Sequence, residues 1–255
     1  MSHPDLALPR LIAHRGLSAH APENTLAAVQ AAHAAGIRWV ELDVQLLSDG
    51  TPVIWHDDRV QRCSDGRGRL ADLDLAQARR LDVGSWFGDA FRGERMATLE
   101  EMLTQLATLD MGVNLELKVN RGRNPQALVE AALPALMAAL PPTRYLVSSF
   151  NAAALEHARA LADPDVLPLG VLCETLGGDW PTRGARVQAF SVHADWRRLK
   201  ARQAREVVAA GYRLLCYTAN DPSAFAPRWQ WGVTAVISDD PARFLGHLAA
   251  PEQRP

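Results

Sequence analysis

Three cysteines in 255 residues, Cys63, Cys173 and Cys216, are too few and too scattered for a disulfide framework. Their odd number and lack of CxxC spacing point to a reducing compartment and away from a thiolate zinc site. No HxH or HExxH pair occurs, which argues against an amidohydrolase-type zinc enzyme. An excess of one charge is missing too. Lys and Arg number 27 against 29 Asp and Glu, and a net charge of −2 gives no footing for nucleic acid or an anionic membrane. No apolar run approaches the roughly 18 residues that span a bilayer. The N-terminus, MSHPDLALPRLIAHRG, has no basic region, and Pro4, Asp5, Pro9 and Arg10 interrupt any apolar one, so it does not read as a signal peptide. A soluble cytoplasmic protein without an integral membrane segment is expected.

What is present is an ordinary globular composition, 48% hydrophobic and 22% charged, arranged as short β-like runs alternating with amphipathic helices. Eight strands are predicted at 9–14, 38–44, 112–118, 144–149, 167–172, 187–193, 212–218 and 233–238. Helices are expected in ENTLAAVQAAHAAG, TLEEMLTQLATLD, NPQALVEAALPALMAAL, NAAALEHARALA, RRLKARQAREVVAAG, PSAFAPRWQWG and ARFLGHLAA, with Gly36, Gly211 and Gly232 as C-terminal stops and Asn24 as the first N-cap. Strands separated by helices give a parallel sheet, and eight of them in a chain of this length suit an α/β TIM (β/α)8 barrel in a single domain, 1–255. An open doubly wound sheet fits less well, because no GxGxxG turn follows the first strand. The connection between the second strand and second helix holds a short extra strand at 52–55 and then an insertion, about 57–97. A connection that long is usually functional.

Polar side chains collect at strand ends. Alternation puts Glu41 and Asp43 on one face of their strand, and Asn114, Glu116 and Lys118 on one face of the next. A buried parallel strand should be apolar on both faces, so these acids must look onto something polar, and in a barrel that end carries the active site. Three clustered carboxylates repel one another unless a cation joins them, and oxygen ligands select hard ions: Mg²⁺, Ca²⁺ or Mn²⁺. His14 and His56 each end an apolar run and suit an acid–base pair. Arg15 and Lys118 would serve an anionic substrate. Metal, cations and two imidazoles suit phosphoryl chemistry.

Together HRG with PENT, ELDVQLLSDG, PVIWHDD and NLELK, joined by DVGSWF and the YTAND and ISDDP runs, resemble the glycerophosphodiester phosphodiesterase family from Pro9 to about Leu245. The likeness is closest to its compact cytoplasmic bacterial members. It implies a TIM barrel that hydrolyses small glycerophosphodiesters, such as glycerophosphocholine or glycerophosphoethanolamine, to sn-glycerol 3-phosphate and an alcohol with a divalent ion, Mg²⁺ or Ca²⁺. By the same likeness His14 and His56 are the acid–base pair, Glu41, Asp43 and Glu116 the metal ligands, and Arg15 and Lys118 the phosphate contacts. Two positions depart from the pattern: Tyr217 stands where tryptophan is common, and Cys63 where a hydroxyl residue is usual. A lysophospholipid-cleaving or phospholipase D-like activity would call for an apolar surface near the mouth. A non-catalytic barrel that binds a phosphorylated ligand would lack at least one of the five residues, two histidines and three acids.

Overall fold

Strand periodicity and helix caps decide the architecture of the computed structural model, which describes residues 3–248. In chain order the elements are β1 (Leu11–His14), α1 (Leu26–Ala34), β2 (Trp39–Leu46), β3 (Pro52–Ile54), α2 (Leu75–Ala78), α3 (Leu99–Thr108), β4 (Gly112–Leu117), α4 (Pro125–Ala139), β5 (Tyr145–Ser149), α5 (Ala152–Leu161), β6 (Leu169–Cys173), α6 (Trp180–Arg186), β7 (Ser191–Asp195), α7 (Ala201–Ala209), β8 (Arg213–Tyr217), α8 (Pro222–Phe225), β9 (Ala235–Ser238) and α9 (Leu245–Leu248). The parallel strands run β1-β9-β8-β7-β6-β5-β4-β2, and a β1–β2 pairing closes the ring. The fold is a TIM barrel. The short strand β3 is antiparallel and adds to β2 outside the ring.

Alternation sets the two faces. Val40, Leu42 and Val44 of β2 and Val113, Leu115 and Leu117 of β4 point outward into the main core beneath the helices. Inward, Trp39 joins Leu6, Ile12, Leu146, Phe190, Leu215, Ala235 and Ile237 in an apolar plug across the bottom of the barrel. Gly112 makes room for it: a Cβ there would stand 2.2 Å from the Trp39 ring. With the floor filled by hydrocarbon, polar side chains are left to the upper layer. Register then pairs His14 with Glu41, Glu41 with Asn114, and Asp43 with Glu116.

Every predicted strand forms, and the differences lie in the connections. Strand six begins at Ser191 rather than 187, because α6 and the turn after it occupy the preceding residues. That helix, WPTRGAR, has no apolar period of its own; Trp180 and Gly184 alone are buried. The segment expected as one helix over 222–232 is α8 followed by a 3₁₀ turn at Ala226–Trp231. Its Trp229 and Trp231 are half-buried against the core. The helix expected over 242–250 starts as a 3₁₀ turn at Pro241–Phe244 and continues as α9; its last two residues lie outside the described residues.

Asn24 is not the N-cap. Thr25 is, its hydroxyl accepting from Ala28 N at 3.1 Å, while Asn24 takes a left-handed φ of 57° and turns its amide elsewhere. The insertion carries a small core of its own, in which Val60, Cys63, Leu70, Ala78, Val83 and Met96 pack with Leu47, Val53 and Trp55. Trp86 and Phe87 contact each other edge to face, with Phe91 next in the row. Among the described residues no helix is long and apolar enough to cross a membrane.

Candidate active site

At the C-terminal mouth of the barrel a cavity of about 390 Å³ is lined by His14, Arg15, Glu41, His56, Glu116 and Lys118, among others. Asp43 lies against the same group, bonded to Arg15 and Lys118. All seven residues singled out in the sequence therefore meet at one place. Carboxylate oxygens of Glu41, Asp43 and Glu116 lie within 4.8 Å of one another, all three buried.

The arrangement carries strong opposing fields. Burial pushes the Glu41 carboxyl well above its ordinary range, and Asp43 and Glu116 push it the same way. Glu116 is raised to about 7 by burial, with Asp43 adding to the effect and Lys118 opposing it. Asp43 goes the other way. Burial would raise it, but Lys118, Arg15 and His56 together hold it well below the usual carboxylate range. Lys118 Nζ stands 2.8 Å from Glu116 Oε1 and 3.2 Å from Asp43 Oδ1, and Arg15 Nε stands 3.4 Å from Asp43 Oδ2.

Two further observations fit an oxygen-liganded cation. Asn114 Oδ1, in register with Glu41 and lining the same cavity, is buried with no hydrogen-bond partner among the described residues. The donor set is oxygen only, which suits Mg²⁺ or Ca²⁺.

The turn after β1 explains the HRG and PENT runs. Arg15 has φ 54°, and its carbonyl accepts from Asn24 N at 2.9 Å, folding the loop back on itself. Gly16 sits where a Cβ would come within 2.6 Å of the Ala28 Cβ, so only glycine lets the loop lie on α1. Asn24 then reaches Asp43 twice: its Nδ2 donates to Oδ2 at 2.8 Å, and its Oδ1 accepts from the Asp43 backbone N at 3.2 Å. Glu23 accepts from Arg15 Nη1 at 2.6 Å. PENT thus both caps and reaches the cavity: Thr25 caps α1, and Glu23 and Asn24 bond Arg15 and Asp43.

Each histidine has a carboxylate behind it. His14 Nδ1 is 2.6 Å from Asp239 Oδ1, and His56 Nδ1 is 2.7 Å from Asp57 Oδ1. A carboxylate accepts and does not donate, so each Nδ1 carries hydrogen, and in a neutral ring the lone pair is left on Nε2. Burial lowers the His56 pKa, with Arg15 and Lys118 acting the same way and Asp43 and Asp57 opposing. Asp239 is held at about 2: burial would raise it, but the bond from His14 outweighs that, helped by Asn220 and Ser18.

Sequence reasoning gave no role to Asp239, Asp57 or Arg62. HDD and ISDDP were visible as motifs, but nothing local says that residue 239 backs residue 14. Of the later strand ends, Tyr217, Thr218 and Glu174 line the cavity and Asn220 bonds Asp239. Ser149 bonds the Leu117 carbonyl, whereas His193 is sealed inside β7 with its Nε2 on Ser191.

Known proteins share this arrangement of chain. The family model for glycerophosphoryl diester phosphodiesterases matches residues 14–243. A glycerophosphodiester phosphodiesterase of Caldanaerobacter subterraneus is 33% identical over 236 residues, 92% of this chain and 96% of that protein. One from Bacillus subtilis is 27% identical over 251 residues, 91% of this chain and 84% of its own. An Oleispira antarctica phosphodiesterase, solved with the product sn-glycerol-3-phosphate, superposes with a TM-score of 0.90 at 37% identity, covering 95% of this chain and 98% of that one. With the match running from His14, the last residue of β1, to Arg243, beyond β9, this chain belongs to the glycerophosphoryl diester phosphodiesterase family.

Proposed function

We propose that this enzyme hydrolyses small glycerophosphodiesters to sn-glycerol 3-phosphate and an alcohol, and that Glu41, Asp43 and Glu116 hold one divalent ion for the purpose. The observation that carries the reading is the pair of carboxylate-backed imidazoles, His14–Asp239 and His56–Asp57, beside one buried acidic triad. The product bound to the Oleispira relative supports the same product class. The bound ion would supply charge neutralisation at the phosphoryl group.

The chain's own residues account for the rest. Arg15 and Lys118, both mostly buried, bring positive charge to the cavity for the phosphate oxygens. One imidazole takes the proton from the entering oxygen through its Nε2, and the protonated partner gives one to the departing alkoxide. The P–O bond to the alcohol breaks as the new P–O bond forms, and water supplies the elements gained. Asp57 and Asp239 hold each ring in the tautomer that frees Nε2 and stabilise it when charged.

The test is a coupled assay for glycerol 3-phosphate released from glycerophosphocholine, run with and without a chelator. Release that stops with EDTA and returns with Mg²⁺, Mn²⁺ or Ca²⁺ is expected. Full turnover after thorough chelation would remove the metal from this reading, and no release at all would overturn it.

A further inference from the structure

Arg62, in the insertion, lies outside the cavity, yet its guanidinium is the most heavily committed side chain near it. Its Nε donates to Asp57 Oδ2 at 2.6 Å, and its Nη2 to Asp57 Oδ1 at 2.9 Å. Its Nη1 donates to Glu23 Oε2 at 2.6 Å, and the same Nη2 to Glu23 Oε1 at 2.8 Å. Four of the five hydrogens that a guanidinium can donate are thus used on two carboxylates. Too few remain for a bidentate grip on phosphate, so its bonding is spent on the two carboxylates.

Both acceptors pass the contact on. Asp57 Oδ1, which takes Nη2, is also the oxygen on His56 Nδ1. Glu23 Oε1, which takes Nη2, is also the oxygen on Arg15 Nη1 at 2.6 Å. A single nitrogen therefore stands one carboxylate away from the His56 imidazole, just before the insertion, and one carboxylate away from the guanidinium of the β1–α1 turn. Those segments are far apart in sequence, Glu23 lying 39 residues from Arg62.

Stability is a poor explanation for this cluster. Arg62 is 46% exposed, and exposed ion pairs contribute little to stability. What a planar fork does well is fix geometry.

We infer that Arg62 is a positioning residue that sets His56 and Arg15 relative to one another, through Asp57 and Glu23. The assignment rests on the proposed roles of His56 and Arg15. It makes the insertion a working part of the site rather than a cover, since the insertion's hold on the β1–α1 turn passes through this side chain. Asp57 is held at about 2, because bonds from Arg62 and then His56 outweigh its burial. The carboxylate behind His56 thus stays ionised in any working pH range.

The experiment compares Arg62→Ala and Arg62→Lys with Asp57→Asn and Glu23→Gln, alongside the parent and His56→Ala, on glycerophosphocholine. Loss of Asp57 should fall on kcat, through His56, and loss of Glu23 on KM, through Arg15. Arg62→Ala should show both, with kcat down and KM up by roughly 10- to 100-fold each, the range for residues that orient a first contact. Added guanidinium ion, at millimolar strength and against a sodium chloride control, should restore part of kcat to Arg62→Ala and none to His56→Ala. Arg62→Lys, a point charge without the fork, should lie between parent and alanine, and it serves as the reading if the alanine variant does not fold. Values of kcat and KM within twofold of the parent in either variant, with only the melting temperature lowered, would overturn the assignment, as would a guanidinium effect no larger than that of sodium chloride. Should the parent release no glycerol 3-phosphate, the functional reading falls and the assignment with it. Should the parent be active, His56→Ala dead and Arg62→Ala normal, the assignment falls alone.

Discussion

The two imidazoles stand in unlike settings. His14 ends a strand of the ring, and its partner Asp239 comes from the loop after the last strand, 225 residues away. Asp239 is itself held by Ser18 at 3.1 Å and Asn220 at 2.5 Å, and Asn220 Oδ1 accepts from the Asp239 backbone N at 2.9 Å. His56 stands directly before the insertion, and its partner is the next residue in the chain. The first station is built from barrel closure, the second from local geometry and one arginine. Two carboxylate-backed imidazoles can thus be equivalent in contact and very different in what holds them.

The largest expected effect removes a ring altogether. His14→Ala and His56→Ala should each cost about 10²–10⁴-fold in kcat with the fold kept, checked by circular dichroism beside the assay. An activated glycerophosphodiester with a p-nitrophenol leaving group needs no proton on departure. The variant that lost the acid should recover much of its rate on that substrate, and the variant that lost the base should not. Near-parent kcat in both variants would make the histidines structural.

Next come the backing carboxylates. Asp239→Asn and Asp57→Asn should each lower kcat by roughly 10- to 100-fold. The Asp239 change should be the larger of the two. With its remaining oxygen kept on His14 and Ser18, the new amide nitrogen would face Asn220 Nδ2, whose own oxygen is tied to the Asp239 backbone N. At Asp57 it would face Arg62, an exposed side chain that can turn away. Equal losses would erase the distinction between the stations.

The acidic triad gives a pH effect of known sign. Glu41 and Glu116 have folded pKa values raised above their unfolded ones, Glu116 to about 7, so ionising them opposes folding. Without a cation, the apoprotein should lose stability as pH rises from near the unfolded value toward 7. Asp43 is already ionised throughout that window and adds a constant. The gain in melting temperature on adding Ca²⁺ or Mg²⁺ should therefore be greater at pH 7.5, a value of about neutral chosen to lie above Glu116, than near pH 5. A gain independent of pH would place the ion elsewhere.

A smaller effect concerns the loop beside His14. Gly16→Ala adds a methyl group against Ala28 at a left-handed φ of 80° and should cost about 1–3 kcal/mol of stability, read by denaturant titration. Smallest is Cys63. Burial pushes its thiol up to about 12, so it should resist alkylation at neutral pH while the insertion stays folded.

Much of this molecule is legible in its sequence because the ring repeats one rule. Alternation within WVELDV and GVNLEL is enough to put three acids on one face, since no apolar strand would carry them otherwise. Connections obey no such rule. WPTRGAR hides a helix with two buried residues, and Thr25 rather than Asn24 caps α1 because Asn24 is drawn to Asp43 across the turn. Asp239 could not be assigned to His14 by any local pattern, since their pairing exists only once the ring is closed. Arg62 likewise acquires meaning from Glu23, a residue of another loop.

Closure between β1 and β9 also bears on how the enzyme is made. β1 pairs with β2 on one side and β9 on the other, so it lacks its second neighbour until Ala235–Ser238 has been synthesised. Contacts of such long sequence separation form late. A growing chain short of its final strand already contains His56, the three acids, both cations and the arginine of the insertion. What it lacks is the brace for His14. A chain that stops short of Asp239 therefore carries nearly every proposed site residue and no brace for His14.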